Sequence, residues 1–309
     1  MKHFHGGTAV ITGAASGFGL DMSRVAGRLG MNIVMADIHP ESLAKAAAEI
    51  EAMGVQVLPY PVDVSKAAAV EALGQATFER FGAPSVVFNN AGVSGCGLIW
   101  ESTVKDWDWV LGVNLMGVVH GVRVFTPMML EAAGQNPAYR GHIVNTASVA
   151  GLVAAPNMGV YTVSKHAVVA LSETLYHDLH LVTDQVHASV LCPSYVPTGI
   201  AHSARHRPPD LTDAAPQTRS QRIGRAMASK AVSGGAGTAA MVAESVFDAI
   251  REERFYVYTH PDAMAPVQAR FDEALHGRNP SDPFDALPQQ GADLRRALRA
   301  GFAPPDRAD

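Results

Sequence analysis

Disulfide-forming material is nearly absent from this chain. Its 309 residues include 2 cysteines, too few to staple a secreted scaffold and suited to a reducing cytosol. Charge is also scarce, at 17% charged residues against a usual ~25%, and the net charge is −5. Set beside 48% hydrophobic residues, this excludes disorder over most of the chain. The positive excess that a nucleic-acid binder needs is missing. No stretch approaches ~18 uninterrupted apolar residues, which argues against a membrane span. The opening Met1-Lys2-His3-Phe4-His5-Gly6-Gly7 lacks the apolar segment of a signal peptide. A globular, cytoplasmic protein is expected, with apolar material for one large domain or two small ones.

What is present is a rhythm. Short β-branched runs at 8–12, 32–36, 55–60, 85–89, 142–146 and 186–192 alternate with helical patterns at roughly 17–29, 41–53, 66–81, 104–134 and 159–183. A helix at 239–252 leads to a seventh strand at 255–258. Strands such as Val86-Val87-Phe88 and Ile143-Val144 are apolar on both faces, as a doubly covered parallel sheet requires. The pattern predicts an α/β, Rossmann-type, doubly wound, seven-stranded parallel sheet with helices on both faces. Residues 201–237, with Pro208-Pro209 inside them, break the rhythm and read as a lid. The stretch from 277 is punctuated by Gly, Pro and Asp, with one amphipathic piece at 294–299.

Directly after the first strand comes Thr12-Gly13-Ala14-Ala15-Ser16-Gly17-Phe18-Gly19, running into a helix. Glycines there allow a tight turn and close backbone approach to a pyrophosphate, which then meets the positive helix N-terminus. The second strand ends in Asp37, whose carboxylate can accept from both ribose hydroxyls and repels a 2′-phosphate. No Arg or Lys stands at Ile38 or His39, so the pair of signals favours NAD over NADP. Asp63-Val64 after the third strand is placed to meet the adenine edge, and Asn89-Asn90-Ala91-Gly92 after the fourth offers amides and a turn beside the cofactor. Tyr161 and Lys165 stand at i and i+4 on one helical face. A phenol with pKa ~10 is too weak an acid for base catalysis at neutral pH, and a neighbouring ammonium with a positively charged nicotinamide would favour its ionised form. Ser148 follows the fifth strand, at the end of the sheet where open α/β folds bind ligands.

Together these motifs resemble the short-chain dehydrogenase/reductase family in its single-domain branch, over about residues 6–200 and more loosely to about 260. The matching positions are Thr12-Gly13-x-x-x-Gly17-x-Gly19, Asp63, Asn89-Asn90-Ala91-Gly92, Asn114, Ser148, Tyr161-x-x-x-Lys165, and Pro193 with Thr198. The resemblance implies Tyr161 as the acid/base and Ser148 as the ligand of the substrate oxygen. It implies Lys165 as the group that lowers the Tyr161 pKa and binds the nicotinamide ribose, with Asn114 holding a water that links Lys165 to solvent. Val196 joins Pro193 and Thr198 on the cofactor. The family's Pro-Gly-x-x-x-Thr turn is here Pro193-Ser194-Tyr195-Val196-Pro197-Thr198, so geometry beside the carboxamide is expected to differ and Tyr195 to add substrate contact. The implied activity is NAD-dependent hydride transfer between nicotinamide and a secondary alcohol or ketone. The implied organisation is one catalytic domain over 1–260 with an extension over 261–309. The resemblance also implies a homo-oligomer, tetramer or dimer, packed through the helices at about 104–134 and 159–183.

Substrate choice is expected in 94–100, 150–158 and the segment after Thr198, whose mostly apolar walls favour a bulky apolar or aromatic alcohol. Between 203 and 230 Arg205, Arg207, Arg219, Arg222, Arg225 and Lys230 outnumber Asp210 and Asp213, which reads as a solvated helix face rather than a site for a carboxylated or CoA-linked substrate. His177 with His180, and His202 with His206, have helical spacing but no carboxylate or cysteine to complete a metal site, so no metal is expected. Cys96 and Cys192 read as spectators near the pocket. Other functions fit the glycine turn: a cofactor-retaining epimerase or isomerase, or a dinucleotide-sensing protein without catalysis. Related epimerases use a G-x-x-G-x-x-G loop absent here, and a sensor has no need of Ser148, Tyr161 and Lys165 together.

Overall fold

The computed structural model describes residues 1–260, 264–285 and 287–300. Strands β1 (Thr8–Thr12), β2 (Asn32–Asp37), β3 (Val57–Pro61), β4 (Val86–Asn89), β5 (Gly141–Thr146), β6 (Val186–Cys192) and β7 (Tyr256–Tyr258) form one sheet. Every pairing is parallel and the order is β3-β2-β1-β4-β5-β6-β7. β1, β4 and β5 are buried at every residue, which their apolar runs demand. Successive strand residues serve opposite faces. Ile11, Phe88, Val144 and Leu191 pack with α1 (Gly17–Arg28) and α8 (Ala239–Glu252), while Val10, Val87 and Ile143 pack with α5 (Gly117–Gln135) and α6 (Gly159–Val182). Phe247 of α8 is fully buried, its ring centroid 5.4 Å from those of both Phe4 and Phe88. The sheet edges are blunted: β3 carries Pro59 and Pro61, and β7 has 3 residues.

The remaining helices are α2 (Pro40–Glu51), α3 (Ala67–Phe81), α4 (Val104–Leu111), α7 (Arg219–Ser233), α9 (Ala265–Leu275) and α10 (Pro288–Arg299). Four expectations need revision. β3 starts at Val57 rather than 55. The helix read at 104–134 is interrupted by a π turn, Gly112–Met116, joining α4 to α5. Val104–Gln135 is thus one helical stretch, long and apolar enough to cross a membrane although polar residues interrupt its apolar runs; here it packs on the sheet, with Phe125 and Met129 in the core. The 201–237 stretch is not irregular throughout. It contains 3-10 turns at Gly199–His206 and Pro209–Leu211, then α7, nucleated by a reciprocal cap in which Thr218 Oγ1 accepts from the Gln221 N–H (3.2 Å) and Gln221 Oε1 from the Thr218 N–H (3.0 Å). The tail forms α9 and α10, of which only the second was visible as a pattern.

Candidate active site

β1 lies between β2 and β4, so the chain changes direction across the sheet at the carboxyl end of β1. There the backbone turns through Gly13 and Gly17, with φ of 67° and 53°. Gly19 gives the turn its tightness: a Cβ on it would stand 2.2 Å from the Gly13 carbonyl oxygen. Thr12 ties the turn to β4, its Oγ1 donating to the Phe88 carbonyl (3.2 Å) and accepting from the N–H groups of Asn90 (2.9 Å) and Ala91 (3.1 Å). α1 starts beside this turn, and Ser16 makes no side-chain cap, leaving first-turn N–H groups open to an anion. At the end of β2, Asp37 accepts from the Ala15 N–H (3.0 Å) and the His39 N–H (3.1 Å), one on each oxygen. Lone pairs remain on both oxygens for a vicinal diol. Asp63 accepts from the Ser65 N–H (3.0 Å) and hydroxyl (2.7 Å), which fixes Val64.

One cavity of about 700 Å³ runs along this edge of the sheet. Asp37, Asp63 and Val64 line it beside β2 and β3, and Gly13, Ser16, Gly17 and Phe18 beside β1. Beyond them stand Asn90, Ala91, Gly92, Pro193, Val196 and Thr198. Ser148, Tyr161 and Lys165 line the same cavity. Gly19 and Asn114 do not; they stand behind its wall.

Tyr161 and Lys165 are both buried on α6. The Lys165 ammonium donates to the Thr146 carbonyl (2.8 Å) and lies 5.7 Å from the centre of the Tyr161 ring. Burial pushes the Tyr161 phenol up to about 12, against a smaller downward pull from a hydrogen bond with Ser148. Burial likewise brings Lys165 down to about 8. Desolvation is thus the largest influence on the phenol among the protein's own groups. Ser148 caps the following turn, accepting from the Ala150 N–H at 3.1 Å. The Asn114 side chain is committed: its oxygen accepts from the Val93 N–H (2.8 Å) and its amide donates to the Val93 carbonyl (3.0 Å) and Ser164 Oγ (3.0 Å). It sits in the π turn, a local distortion with no signature in the apolar periodicity. A Cβ on Gly92 would meet Asn114 Oδ1 at 3.4 Å and Lys165 Nζ at 3.6 Å, so Gly92 keeps that corner open.

Ser194 costs the backbone nothing: among the described residues only Asn157 (φ 63°) and Glu253 (φ 56°) take positive φ without being glycine. Tyr195 lines the cavity. Sequence reasoning missed Trp109 of α4, Leu211, and the pair His39 and His206, whose rings touch across the rim beside Asp37. These come together from segments more than a hundred residues apart, which no local pattern records. Of the cations at 203–230, Arg219, Arg222, Arg225 and Lys230 are exposed, as a solvated face requires, but Arg207 is not. The tail meets the site: Arg270 of α9 donates to the Leu152 carbonyl (3.1 Å), and Val267 packs with Leu152 in the turn after Ser148. Burial pushes both thiols up, Cys192 to about 12. Among the described residues no group of three His, Cys, Asp or Glu could hold a metal ion.

A parallel seven-stranded sheet with a glycine turn, an acid at the end of β2 and a Ser, Tyr, Lys set at one edge defines a class of nucleotide-linked enzymes. Residues 7–209 match the family described as short chain dehydrogenase, and the chain belongs to the short-chain dehydrogenase/reductase family of oxidoreductases. It is similar to a short chain dehydrogenase/reductase from Burkholderia phymatum solved in complex with NAD, with 49% identity, a TM-score of 0.89, and 92% of this chain and 99% of that chain covered. It is 34% identical to a CLA biosynthesis dehydrogenase/reductase of Lactiplantibacillus plantarum, covering 87% of this chain and 93% of the relative. A 1-deoxy-11-beta-hydroxypentalenate dehydrogenase of Streptomyces avermitilis is 33% identical over 88% of this chain and 91% of its own length.

Proposed function

We propose that this chain is an NAD-preferring dehydrogenase of a bulky apolar or aromatic secondary alcohol, or a reductase of the matching ketone. The observation that carries the reading is the convergence of Ser148, Tyr161 and Lys165 on the same cavity as the glycine turn and Asp37. The cradle fits a dinucleotide: Gly13 and Gly17 take positive φ there, and both Asp37 oxygens are oriented by backbone N–H groups with lone pairs to spare. Bound NAD supplies the hydride acceptor in oxidation and, as NADH, the donor in reduction. Similarity to the NAD-bound Burkholderia phymatum enzyme supports that choice. The pentalenate relative, by its name, acts on a hydroxy compound, which supports an alcohol.

In this reading Ser148 Oγ holds the substrate oxygen and Tyr161 Oη takes its proton during oxidation. Because burial outweighs the hydrogen bond with Ser148 and holds the phenol up at about 12, Tyr161 works as a base only when positive charge is close, and the Lys165 ammonium, 5.7 Å from its ring centre, is placed to supply it together with the charged nicotinamide. Asn114 positions rather than reacts, pinning the Val93 backbone. Residues 1–260 form the catalytic unit, the segment after Thr198 serves as the substrate lid, and the extension from 261 braces the Ser148 turn through Arg270. Self-association as a dimer or tetramer through α5 and α6 would cover exposed Val163. The test is NADH formation across a panel of aryl and alkyl secondary alcohols. Tyr161→Phe is expected to lower kcat on the order of 10²–10⁴-fold while dinucleotide binding persists. Equal turnover by Tyr161→Phe would sink the mechanism.

A further inference from the structure

We propose that Arg207 is a positioning residue that sets the far apolar wall of the cavity and so selects for bulky substrates; the proposal rests on the dehydrogenase reading above. Arg207 lies in the segment after Thr198, and its side chain is only 17% exposed. Its Nη1 donates to Asp106 Oδ1 of α4 at 2.6 Å, and its Nη2 reaches Asp213 Oδ2 at 3.4 Å. Its Nε donates to the Leu211 carbonyl at 2.7 Å, and its guanidinium carbon stands 5.3 Å over the Trp109 ring. Trp109 and Leu211 both line the cavity and pack in one apolar cluster. One guanidinium therefore fixes both. A planar, five-donor cation that can also stack is the group this arrangement calls for, and a lysine ammonium cannot reproduce it.

The receiving side is equally built. Thr103 and Asp106 cap α4 reciprocally, Thr103 Oγ1 accepting from the Asp106 N–H (3.2 Å) and Asp106 Oδ2 from the Thr103 N–H (3.0 Å). The same two side chains grip the lid: Thr103 Oγ1 donates to Asp213 Oδ2 (2.8 Å), and Asp106 Oδ2 accepts from Gln221 Nε2 (3.4 Å). Gln221 is the capping residue of α7, so the caps of α4 and α7 are joined through one amide. Lys105 Nζ adds a bond to the Thr212 carbonyl at 3.1 Å. α4 runs through the π turn into α5 on the sheet, which makes it the fixed partner. Swinging the lid away would strip Asp106, 16% exposed, of its cation. An unpaired, poorly solvated carboxylate opposes that motion.

The experiment uses the full chain saturated with NAD and three variants: Arg207→Met, Arg207→Lys and Asp106→Asn. Backbone amide exchange over residues 203–217 is measured alongside kcat/KM for a bulky aryl secondary alcohol and for propan-2-ol. Losing a charge-assisted contact predicts exchange about tenfold faster in Arg207→Met and Asp106→Asn. The ratio of kcat/KM for the bulky alcohol over propan-2-ol is expected to fall about tenfold, through KM, with Arg207→Lys in between. Unchanged exchange, or equal losses on both alcohols, would overturn the proposal. Asp106→Asn keeps the side-chain shape and decides the matter where Arg207→Met fails to fold. Should the wild type oxidise neither these alcohols nor any of the wider panel, the dehydrogenase reading fails, and the exchange rates alone still decide whether Arg207 holds the lid.

Discussion

Replacing Gly19 by alanine probes the cofactor cradle where it is tightest. The added Cβ would stand 2.2 Å from the Gly13 oxygen, 2.8 Å from the Gly13 carbonyl carbon and 2.9 Å from Asn90 Nδ2. Comfortable non-bonded contacts begin near ~3.5 Å, so the Gly13 carbonyl must withdraw by about 1 Å. It has little room, because Ala91 Cα lies 3.0 Å from where a Gly13 Cβ would be and Asn90 Nδ2 is bonded to the Thr12 carbonyl at 2.9 Å. Overpacking of this kind costs about 1–3 kcal/mol of stability, roughly 2–4 °C in Tm for each kcal/mol in a large domain. Binding suffers more, since a displacement of about 1 Å in a positioned site can cost on the order of 10²-fold. The assay is calorimetric titration with NAD of a variant verified as folded by circular dichroism. Gly134→Ala is the control: nothing lies within 4 Å of that Cβ, and stability should rise by about 0.5–1 kcal/mol with binding unchanged. If Gly19→Ala bound NAD as tightly as the wild type, the account of the cradle would be refuted.

Two further outcomes follow from the site and core. Asp37→Ala removes the diol acceptor and the charge that opposes a 2′-phosphate, so the kcat/KM ratio of NADP over NAD should rise by about tenfold or more; an unchanged ratio removes Asp37 from cofactor choice. His142 is fully buried in β5 and donates through Nε2 to Ser189 Oγ (2.7 Å). Burial, with a smaller contribution from His187, brings its pKa from 6.5 to about 3. The unfolded chain binds this proton first, so the contribution is fully present above pH ~6.5 and is lost as pH falls towards 3, by up to about 1.4 kcal/mol per pH unit. Urea unfolding at pH 7 and pH 4 should show a smaller acid loss in His142→Gln than in the wild type, and equal losses would contradict this.

The sheet and the reacting side chains were legible because their signals are local. β1 and β6 start and end where their apolar runs do, and Tyr161 with Lys165 share one turn-spaced helical face. Ser148 could be placed because it follows a strand in a parallel sheet, where ligands bind by topology. What escaped depends on distance in the chain. The π turn at Gly112–Met116 leaves the apolar periodicity of its neighbours intact, so 104–134 reads as one helix. α7 is polar on most of its surface and is held by caps and by Ser220, whose hydroxyl donates to Glu101 (2.6 Å) across more than a hundred residues. Arg207 looked like one more solvated cation until Asp106 and Trp109 were brought beside it.

The central place of β1 also bears on how the molecule is made. Thr12 anchors the glycine turn by bonding to Phe88, Asn90 and Ala91, so the cradle waits for a strand synthesised long after the turn itself. A growing chain that has emerged only through β3 holds β1 as an open edge, apolar on both sides and paired with β2 alone. Exposed apolar edges of that kind invite association between chains, and non-local parallel pairing forms slowly. The feature that sets the dinucleotide turn at the middle of the sheet therefore leaves one side of β1 without its partner until β4 has been made.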